Sequence, residues 1–407
     1  MTTAEIRKYF PILDRNIYGR KLVYFDNAAT SQRPQAVIDE WNRISTESNA
    51  NIHRAVHKLS VEATDAYEQA RDTVREFINA GSREEVIFTS GTTNSINLLA
   101  WCFGEKYVWE GDEIIVSEAE HHSNIVPWYM LCRRKRAHLK VLPVDDAGHL
   151  RLDLLPGLIS EHTRLIAVTH ISNVLGIVNP VSKIIEIAHS RNVPVLIDGA
   201  QGIVHCGVDV RELDCDFYAF SGHKMYAATG TGVLYGKKKW LEDMPPFMGG
   251  GEMIASVSFE DVKYAALPMR YEAGTQNFAS SATLKPACEF IKLLNDSQLN
   301  KEFEQICLYA ENELKNIPGL KIYGEGTVGE HKVPVYSFTI DGVHHEDLAL
   351  LLDKMGVAVR SGQMCAEPLM DRFGVSGMVR ASLLPYNTEE EVTIFINALN
   401  KAVEMLK

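Results

Sequence analysis

One stretch near the middle of the chain reads Phe217-Tyr218-Ala219-Phe220-Ser221-Gly222-His223-Lys224. Its apolar, aromatic first half predicts a buried strand, so Lys224 stands where that strand ends at the mouth of a sheet. A lysine that is poorly hydrated there has a lowered pKa, and its neutral amine can form a Schiff base with an aldehyde cofactor. By itself, the stretch fits a surface lysine after a strand equally well.

Strand-like and helix-like segments alternate around this stretch. The predicted strands cover 86–89, 113–117, 165–169 and 195–198, and the predicted helices cover 125–136 and 181–190. This spacing is typical of βαβ units, so we predict an α/β fold with a mostly parallel sheet between two layers of helices. Strands that are apolar throughout, such as 194–197, fit burial on both faces.

The pattern changes after about residue 270. Two long helices are predicted at 281–296 and 300–316, followed by a strand at 335–340, a helix, a second strand at 357–360 and a terminal helix. We therefore predict three parts of the chain. They are an N-terminal arm over 1–20 that packs with the small domain, a large cofactor-binding domain over 21–270, and a small α/β C-terminal domain over 271–407.

Composition excludes several classes of function. The 407 residues carry a net charge of −12, which argues against nucleic acid or an anionic membrane as the main partner. The first residues lack the apolar core of a signal peptide, and no apolar run could span a bilayer, so we expect a cytoplasmic protein. The seven scattered cysteines form no C-x-x-C pair, which predicts reduced thiols and neither a disulfide framework nor a metal site.

Two motifs have a chemical and a purely structural interpretation. Ser90-Gly91-Thr92-Thr93 follows a predicted strand and opens a helix, where free N–H groups and the helix dipole favour an anion such as phosphate. The same residues fit an ordinary N-cap formed by Thr92 or Thr93. Asp198, at the end of another strand, fits either a partner for a pyridine nitrogen or a helix N-cap.

Two further motifs carry reactive side chains. Of the adjacent His121 and His122, we expect at most one to reach a site, as a stacking or acid/base group and not as a zinc ligand. Cys365 lies in a loop near two arginines in sequence, which would enrich its thiolate. Arg380 is either a surface arginine or a clamp for a carboxylate.

An ordered set of segments along nearly the whole chain carries a family resemblance. The segments are Tyr24-Phe25-Asp26-Asn27-Ala28-Ala29-Thr30, Asn51-Ile52-His53-Arg54, Gly91-Thr92-Thr93, Glu120-His121-His122, Ser172-Asn173-Val174-Leu175-Gly176, Asp198-Gly199-Ala200-Gln201, Ser221-Gly222-His223-Lys224, Glu272-Ala273-Gly274-Thr275, the Cys365 loop and Arg380. Together they resemble the cysteine desulfurases that depend on pyridoxal 5′-phosphate (PLP), in the SufS-like group II branch of the class V aminotransferase family.

The resemblance implies a PLP-dependent transferase of fold type I, with a seven-stranded sheet in the large domain, and a role for each matching residue. Lys224 would bond the PLP aldehyde, Asp198 would pair with the ring nitrogen, Gln201 with the phenolic oxygen, and His121 would stack on the ring. The phosphate would be bound by Thr93, Ser221 and His223, beside Thr92, with Thr275 contributed by the other subunit of a homodimer. The substrate-binding residues would be Asn173, Arg360, Arg380, Ala28 and His53.

The implied reaction converts L-cysteine to L-alanine, with Lys224, His121 and Cys365 as catalytic residues and a persulfide left on Cys365. A sulfur acceptor of the SufE or SufU type would take the sulfur toward iron–sulfur cluster assembly, because the Cys365 loop is short and limits the reach of the thiol. Three alternatives stay open: a selenocysteine lyase, a class V aminotransferase that needs no Cys365, and a scaffold without turnover.

The chain departs from the family pattern at two places. Gln363-Met364 precedes Cys365 where many relatives have a polar pair such as His-His, which could change access to the persulfide. Ala227-Ala228 follows Lys224 where relatives commonly have Gly-Pro, which could alter the backbone beneath the cofactor. Neither change removes a named catalytic group.

Overall fold

The computed structural model describes residues 1–324, 326, 328, 329 and 331–407. The strands are β1 (Asn16–Ile17), β2 (Arg20–Lys21), β3 (Val23–Tyr24), β4 (Val86–Thr89), β5 (Glu113–Ser117), β6 (His138–Leu142), β7 (Thr163–Thr169), β8 (Val195–Asp198), β9 (Phe217–Ser221), β10 (Gly232–Gly236), β11 (Ile254–Val257), β12 (Val262–Tyr264), β13 (Leu320–Tyr323), β14 (Val335–Ile340), β15 (Val357–Ala358), β16 (Arg360–Gly362) and β17 (Met378–Ser382).

The helices are α1 (Thr3–Arg7), α2 (Gln35–Glu47), α3 (Lys58–Phe77), α4 (Thr92–Tyr107), α5 (Val126–Lys135), α6 (Leu155–Leu158), α7 (Val181–His189), α8 (Gly202–His205), α9 (Val210–Leu213), α10 (Lys238–Asp243), α11 (Phe278–Ala282), α12 (Leu284–Leu294), α13 (Ser297–Lys315), α14 (His345–Lys354), α15 (Glu367–Phe373) and α16 (Glu389–Leu406). Short 3₁₀ turns cover Pro11–Asp14, Arg83–Glu85, His122–Asn124, Gly222–Lys224 and Met269–Tyr271.

A seven-stranded sheet forms the centre of the larger unit, in the order β4-β10-β9-β8-β7-β5-β6. Only β10 runs antiparallel to its neighbours, so the sheet is mostly parallel, as the sequence predicts. Successive residues of one strand point to opposite faces. Leu196 of β8 therefore packs in the apolar layer that contains α4 and α5, and Ile197 packs in the layer that contains α3 and α7.

A second, antiparallel sheet has the order β13-β14-β17-β16. Helices α13, α14 and α16 pack around it, with side chains such as Phe338 and Phe395 in a separate apolar cluster. The sequence predicts one strand over 357–360, but the structure splits it. β15 pairs with β3, whereas β16 pairs with β17, so the chain changes sheets at Val359.

The N-terminal segment contacts both units, and its buried Phe10 belongs to the apolar cluster of the seven-stranded sheet. α1 contacts α13, and Arg7 pairs with the buried Glu391 of α16 at 2.8 Å. The parallel β3–β15 pair continues the contact, and Asn27 Nδ2 donates to Ser382 O at 2.6 Å. Residues from both ends of the sequence therefore meet beside the larger sheet.

The predicted boundary at residue 270 falls before two helices that pack with the larger unit. α11 and α12 lie against α2 and α3, and Leu284 belongs to the apolar cluster of the seven-stranded sheet. The division of the chain into domains stays a prediction. The packing differs from it in one respect, because α11 and α12 follow residue 270 but contact the larger unit. Within the part of the chain that the structure describes, no helix is long and apolar enough to cross a membrane.

Candidate active site

A cavity of about 520 Å³ lies at the carboxyl ends of β5, β7, β8 and β9, where parallel sheets bind ligands. Residues 360–365, from the second unit, form part of its wall. It brings together most of the predicted site residues, which are Ala28, Thr92, Thr93, His121, Asn173, Asp198, Gln201, Ser221, His223, Lys224, Arg360, Cys365 and Arg380. His53 and Thr275 do not line it.

Lys224 ends the 3₁₀ turn that follows β9. The turn passes so close to the next strand that a Cβ on Gly222 would lie 2.8 Å from Thr231 Cγ2, which explains the glycine. Burial lowers the pKa of Lys224 to about 8, with Asp198 acting in the opposite direction. The amine makes no hydrogen bond or ion pair with any described residue, so it is available for a ligand.

Asp198 and Gln201 occupy the loop after β8. Asp198 is 3% exposed, and its Oδ1 accepts a hydrogen bond from Ala200 N at 2.9 Å. Burial raises the pKa of Asp198, and the Ala200 N–H and Lys224 oppose this rise. Gln201 Nε2 donates to Ala28 O at 2.7 Å. The N-cap position of α8 is occupied by Gln201, so Asp198 is not a helix N-cap.

The start of α4 has no side-chain cap. Its N-cap residue is Gly91, with φ of 145°, and a Cβ there would lie 3.2 Å from Ser221 Oγ. Thr92 N donates to Ser221 Oγ at 2.8 Å, and Thr93 Oγ1 lies 2.7 Å from Ser123 Oγ. The N-cap interpretation of Thr92 and Thr93 is therefore wrong. Hydroxyl groups cluster at a helix N-terminus whose N-cap glycine has no side chain, which is the chemistry of an anion site.

His121 and His122 both line the cavity, so the expectation that at most one reaches it is wrong. His121 Nδ1 accepts a hydrogen bond from Ser123 N at 3.0 Å, which places the proton of the neutral ring on Nε2. Burial, followed by the charge of Lys224, lowers the pKa of His121 to about 4. His121 is therefore neutral near pH 7.

Cys365 lies in the loop 363–366 between β16 and α15, and it is the only exposed cysteine of the seven. Burial raises the pKa of Cys102 to about 12 and of Cys132 to about 11, which makes those thiols poor nucleophiles. Exposure therefore singles out Cys365 as the accessible thiol. Within the loop, Gln363 Nε2 donates to Glu367 Oε1 at 3.1 Å.

Arg380 is 3% exposed and is held on one side only. Its Nη1 donates to Asn173 O at 2.9 Å and its Nη2 to Asp26 Oδ1 at 3.2 Å, whereas its buried Nε has no partner among the described residues. A buried guanidinium N–H without an acceptor is costly, and a ligand carboxylate would satisfy it.

Asp26 is a site residue that sequence reasoning missed. Its Oδ2 lies 2.9 Å from Arg360 Nη2, so one carboxylate joins Arg360 to Arg380. Asp26 stands within a segment that carries the family resemblance, but its role depends on contacts with residues far along the chain. It reduces the repulsion between two arginines in one site.

His53 and Thr275 lie on another part of the surface. His53 Nε2 is 3.1 Å from Glu68 Oε1, and its buried Nδ1 makes no hydrogen bond with a described residue but lies 4.0 Å from Glu252 Oε2. Glu68 and Glu272, the latter near Thr275, both pair with Arg71. The roles assigned to His53 and Thr275 stay predictions.

The Ala227-Ala228 departure has a structural counterpart. Ala228 N donates to Thr283 Oγ1 at 3.0 Å, a bond that proline could not make. Asn173 Nδ2, predicted to hold substrate, donates instead to Met364 O at 2.9 Å.

Over the described ranges, no group of three or more His, Cys, Asp or Glu side chains could hold a metal ion.

The donor set fits PLP. The unpaired amine of Lys224 matches the aldehyde, and the carboxylate of Asp198 matches the ring nitrogen. The start of α4, with Thr92 and Ser221, matches the phosphate.

Comparisons with known proteins show the family to which the chain belongs. The family described as "Aminotransferase class-V" matches residues 23–395. A cysteine desulfurase of Synechococcus elongatus is 45% identical over 397 residues, covering 98% of this chain and 63% of that protein. The chain therefore spans less than two thirds of that relative's length. A cysteine desulfurase of Cronobacter sakazakii is 45% identical over 403 residues, covering 99% of this chain and 98% of that protein.

The crystal structure of the cysteine desulfurase CsdA from Escherichia coli is similar to this chain over its whole length. It is 39% identical, with a TM-score of 0.92 over 100% of both chains. The predicted fold class is confirmed by this likeness together with the observed mostly parallel sheet.

Proposed function

The chain belongs to the class V aminotransferase family, and on that premise we propose that it is a PLP-dependent cysteine desulfurase. It converts L-cysteine to L-alanine and leaves the sulfur on Cys365. One observation carries this proposal: the exposed thiol of Cys365 lines the same cavity as the unpaired amine of Lys224. The names of the relatives at 45% identity support it.

The predicted site residues that line the cavity have parts in holding the cofactor and the substrate. Lys224 would bond PLP, Asp198 and Gln201 would contact its ring, His121 would stack on it, and Thr92, Thr93, Ser221 and His223 would bind its phosphate. Bound PLP supplies an electron sink for charge that develops at the substrate Cα. The guanidinium of Arg380, which lines the cavity, binds the substrate carboxylate, and Arg360, Asn173 and Ala28 line the place where it lies.

Lys224 transfers the protons, and His121 assists with a hydrogen bond. With a pKa of about 8, the Lys224 amine can accept the Cα proton of the substrate near neutral pH and return it. The Nε2–H of the neutral His121 donates a hydrogen bond to the reacting groups and keeps its proton, because a neutral imidazole is too weak an acid to release it. The Cys365 thiolate then attacks the substrate sulfur. The S–Cβ bond breaks, its electron pair stays with carbon, and protonation at Cβ gives L-alanine and a persulfide on Cys365.

A second protein completes the sulfur transfer. The loop 363–366 is short and is tied to the larger unit through Asn173, so Cys365 has little reach. A SufE- or SufU-type acceptor therefore comes to it, in the cytoplasm, for iron–sulfur cluster assembly, as in the SufS-like group II branch. Stimulation of alanine formation by such an acceptor tests this step, and equal rates with and without it would exclude the partner.

In a homodimer, Thr275 would reach the phosphate site of the partner subunit. Mixed dimers of Lys224→Ala and Thr275→Ala chains give the test. In such a dimer the site with an intact Lys224 receives an intact Thr275 from the other chain, so activity returns on mixing. Failure to regain activity, with dimers demonstrated by light scattering, would contradict the shared site.

The decisive experiment for the reaction locates the sulfur. After incubation with L-cysteine, peptide mass spectrometry should find one added sulfur atom on Cys365, and Cys365→Ala should form no alanine. Cys206→Ala, which removes a partly buried cysteine, is the matched control and should stay active. Turnover of selenocysteine, but not cysteine, by Cys365→Ala would favour a lyase. A cofactor absorbance change reversed by a keto acid would favour an aminotransferase.

A further inference from the structure

The turn that carries Cys365 has an unfavourable backbone. Met364 and Cys365 have φ values of 53° and 55°, so two consecutive residues with side chains adopt the left-handed conformation. Each such residue is strained, because its Cβ crowds the following carbonyl oxygen. Strained turns of this kind persist only where surrounding contacts hold them.

Three hydrogen bonds from the larger unit hold this turn, and His122 makes two of them. His122 N donates to Cys365 O at 2.7 Å, and Glu367 N donates to His122 Nε2 at 3.0 Å. The third is the bond from Asn173 Nδ2 to Met364 O at 2.9 Å. His122, from the 3₁₀ turn that follows β5, thus holds the backbone on the C-terminal side of the thiol at two points, and Asn173 holds it on the N-terminal side.

The bond to Glu367 also supplies a helix cap. α15 begins at Glu367 and has no side-chain cap of its own, so the first N–H group of the helix depends on an acceptor from elsewhere. The imidazole of His122 is that acceptor, which fixes the start of α15 relative to the seven-stranded sheet. Because its Nε2 accepts this bond, the neutral ring carries its proton on Nδ1.

We propose that His122 is a positioning residue that holds the strained turn 363–366 so that the Cys365 thiol stays over the cavity. This inference rests on the proposed desulfurase reaction and concerns only its sulfur-transfer step. The steps at the substrate Cα depend on Lys224 and do not require the turn. A displacement of the thiol by about 1 Å can cost up to about 100-fold in rate.

Two variants and one control separate positioning from a general loss of structure. His122→Ala removes the acceptor for Glu367 N, and His122→Gln keeps a side-chain oxygen that can accept the same bond. His162→Ala alters an exposed histidine that precedes β7, at the end of the sheet opposite the cavity. All three are compared with the wild-type holoenzyme.

Two reactions of the same preparations give the readouts. Persulfide formation on Cys365 from L-cysteine reports the thiol, whereas exchange of the Cα proton of L-alanine in D₂O reports Lys224 with PLP and needs no thiol. Hydrogen exchange of the peptide that contains Glu367 N reports the turn itself.

We expect His122→Ala to slow persulfide formation by about tenfold or more, at saturating L-cysteine, with Cα exchange within about twofold of wild type. The Glu367 amide should exchange faster in this variant, and His122→Gln should recover most of both losses. Unchanged persulfide formation in His122→Ala would overturn the inference, as would an equal loss of Cα exchange. Absence of both reactions in the wild type would instead refute the proposed function.

Discussion

Arg71 and Glu272 form a fully buried, bidentate ion pair, with Nη1 2.7 Å from Oε1 and Nη2 2.9 Å from Oε2. Glu272 also accepts hydrogen bonds from Tyr67 and from Phe88 N, so buried protein groups satisfy both oxygens of its carboxylate. The pair fixes the segment before Thr275 against α3 and β4. A buried charge without its partner is strongly destabilising.

We therefore expect Glu272→Gln to lower the free energy of unfolding by up to about 3–5 kcal/mol, because the buried Arg71 loses its fully buried partner and keeps only the ion pair with Glu68. Urea denaturation of the purified variant measures this loss. Arg151→Ala breaks an exposed ion pair with Asp153 and should leave the denaturation midpoint unchanged. A Glu272→Gln midpoint equal to that of the wild type would show that the pair contributes nothing to stability.

Lys224 should destabilise the protein when PLP is removed. Its pKa is about 8 in the folded chain against 10.5 ordinarily, so the unfolded chain binds the proton more tightly. The cost is complete below pH 8 and disappears as the pH rises from about 8 to 10.5. Lys224→Met should thus raise the stability of PLP-free protein at pH 7 by about 1–3 kcal/mol.

The gain from Lys224→Met should shrink at pH 10, which urea titrations at the two pH values would test. Lys238→Met alters an exposed lysine and serves as the control, with no comparable gain at pH 7. A gain from Lys224→Met that is the same at both pH values would mean that lost packing or hydration, and not the charge, determines the effect.

His121 should remain neutral far into the acidic range. Burial lowers its pKa to about 4, and the hydrogen bond from Ser123 N selects the Nε2–H form. Nitrogen NMR of histidine-labelled protein should show that tautomer at pH 7 and a titration midpoint near 4, with His121→Gln identifying the signal. A midpoint above 6, or a proton on Nδ1, would contradict the assigned role as an Nε2–H donor.

Arg380→Lys should weaken substrate binding although the positive charge is kept. The buried Nε of Arg380 has no acceptor within the described residues, and lysine cannot place an N–H there. A hydrogen bond to a charged group contributes about 1.5–3 kcal/mol, so KM for L-cysteine should rise by about 10–150-fold. Steady-state kinetics give the value, and Arg372→Ala, at an exposed ion pair with Asp146, should leave KM unchanged.

The sequence predicts what depends on local pattern. The segments 86–89, 113–117 and 195–198 are strands as predicted, since apolar runs bounded by polar residues determine them. Most predicted site residues meet in one cavity because the carboxyl ends of parallel strands share one edge of the sheet.

Long-range contacts account for what was missed. The role of Asp26 arises from arginines more than three hundred positions away, and His122 acts through the backbone of the Cys365 turn. The change of sheet at Val359 depends on β3, near the opposite end of the chain. No local pattern around these residues encodes such partners.

The pairing of β3 with β15 also determines when the enzyme can become functional during its synthesis. The segment that contains β3, Asp26 and Asn27 leaves the ribosome early, but its partners in β15 and β17 are translated near the end. Contacts between residues so distant in sequence form slowly, and a nascent chain can fold its seven-stranded sheet beforehand. The contacts of Asp26 with Arg360 and Arg380 therefore form last. A chain truncated before residue 357 could fold its seven-stranded sheet but would have no activity.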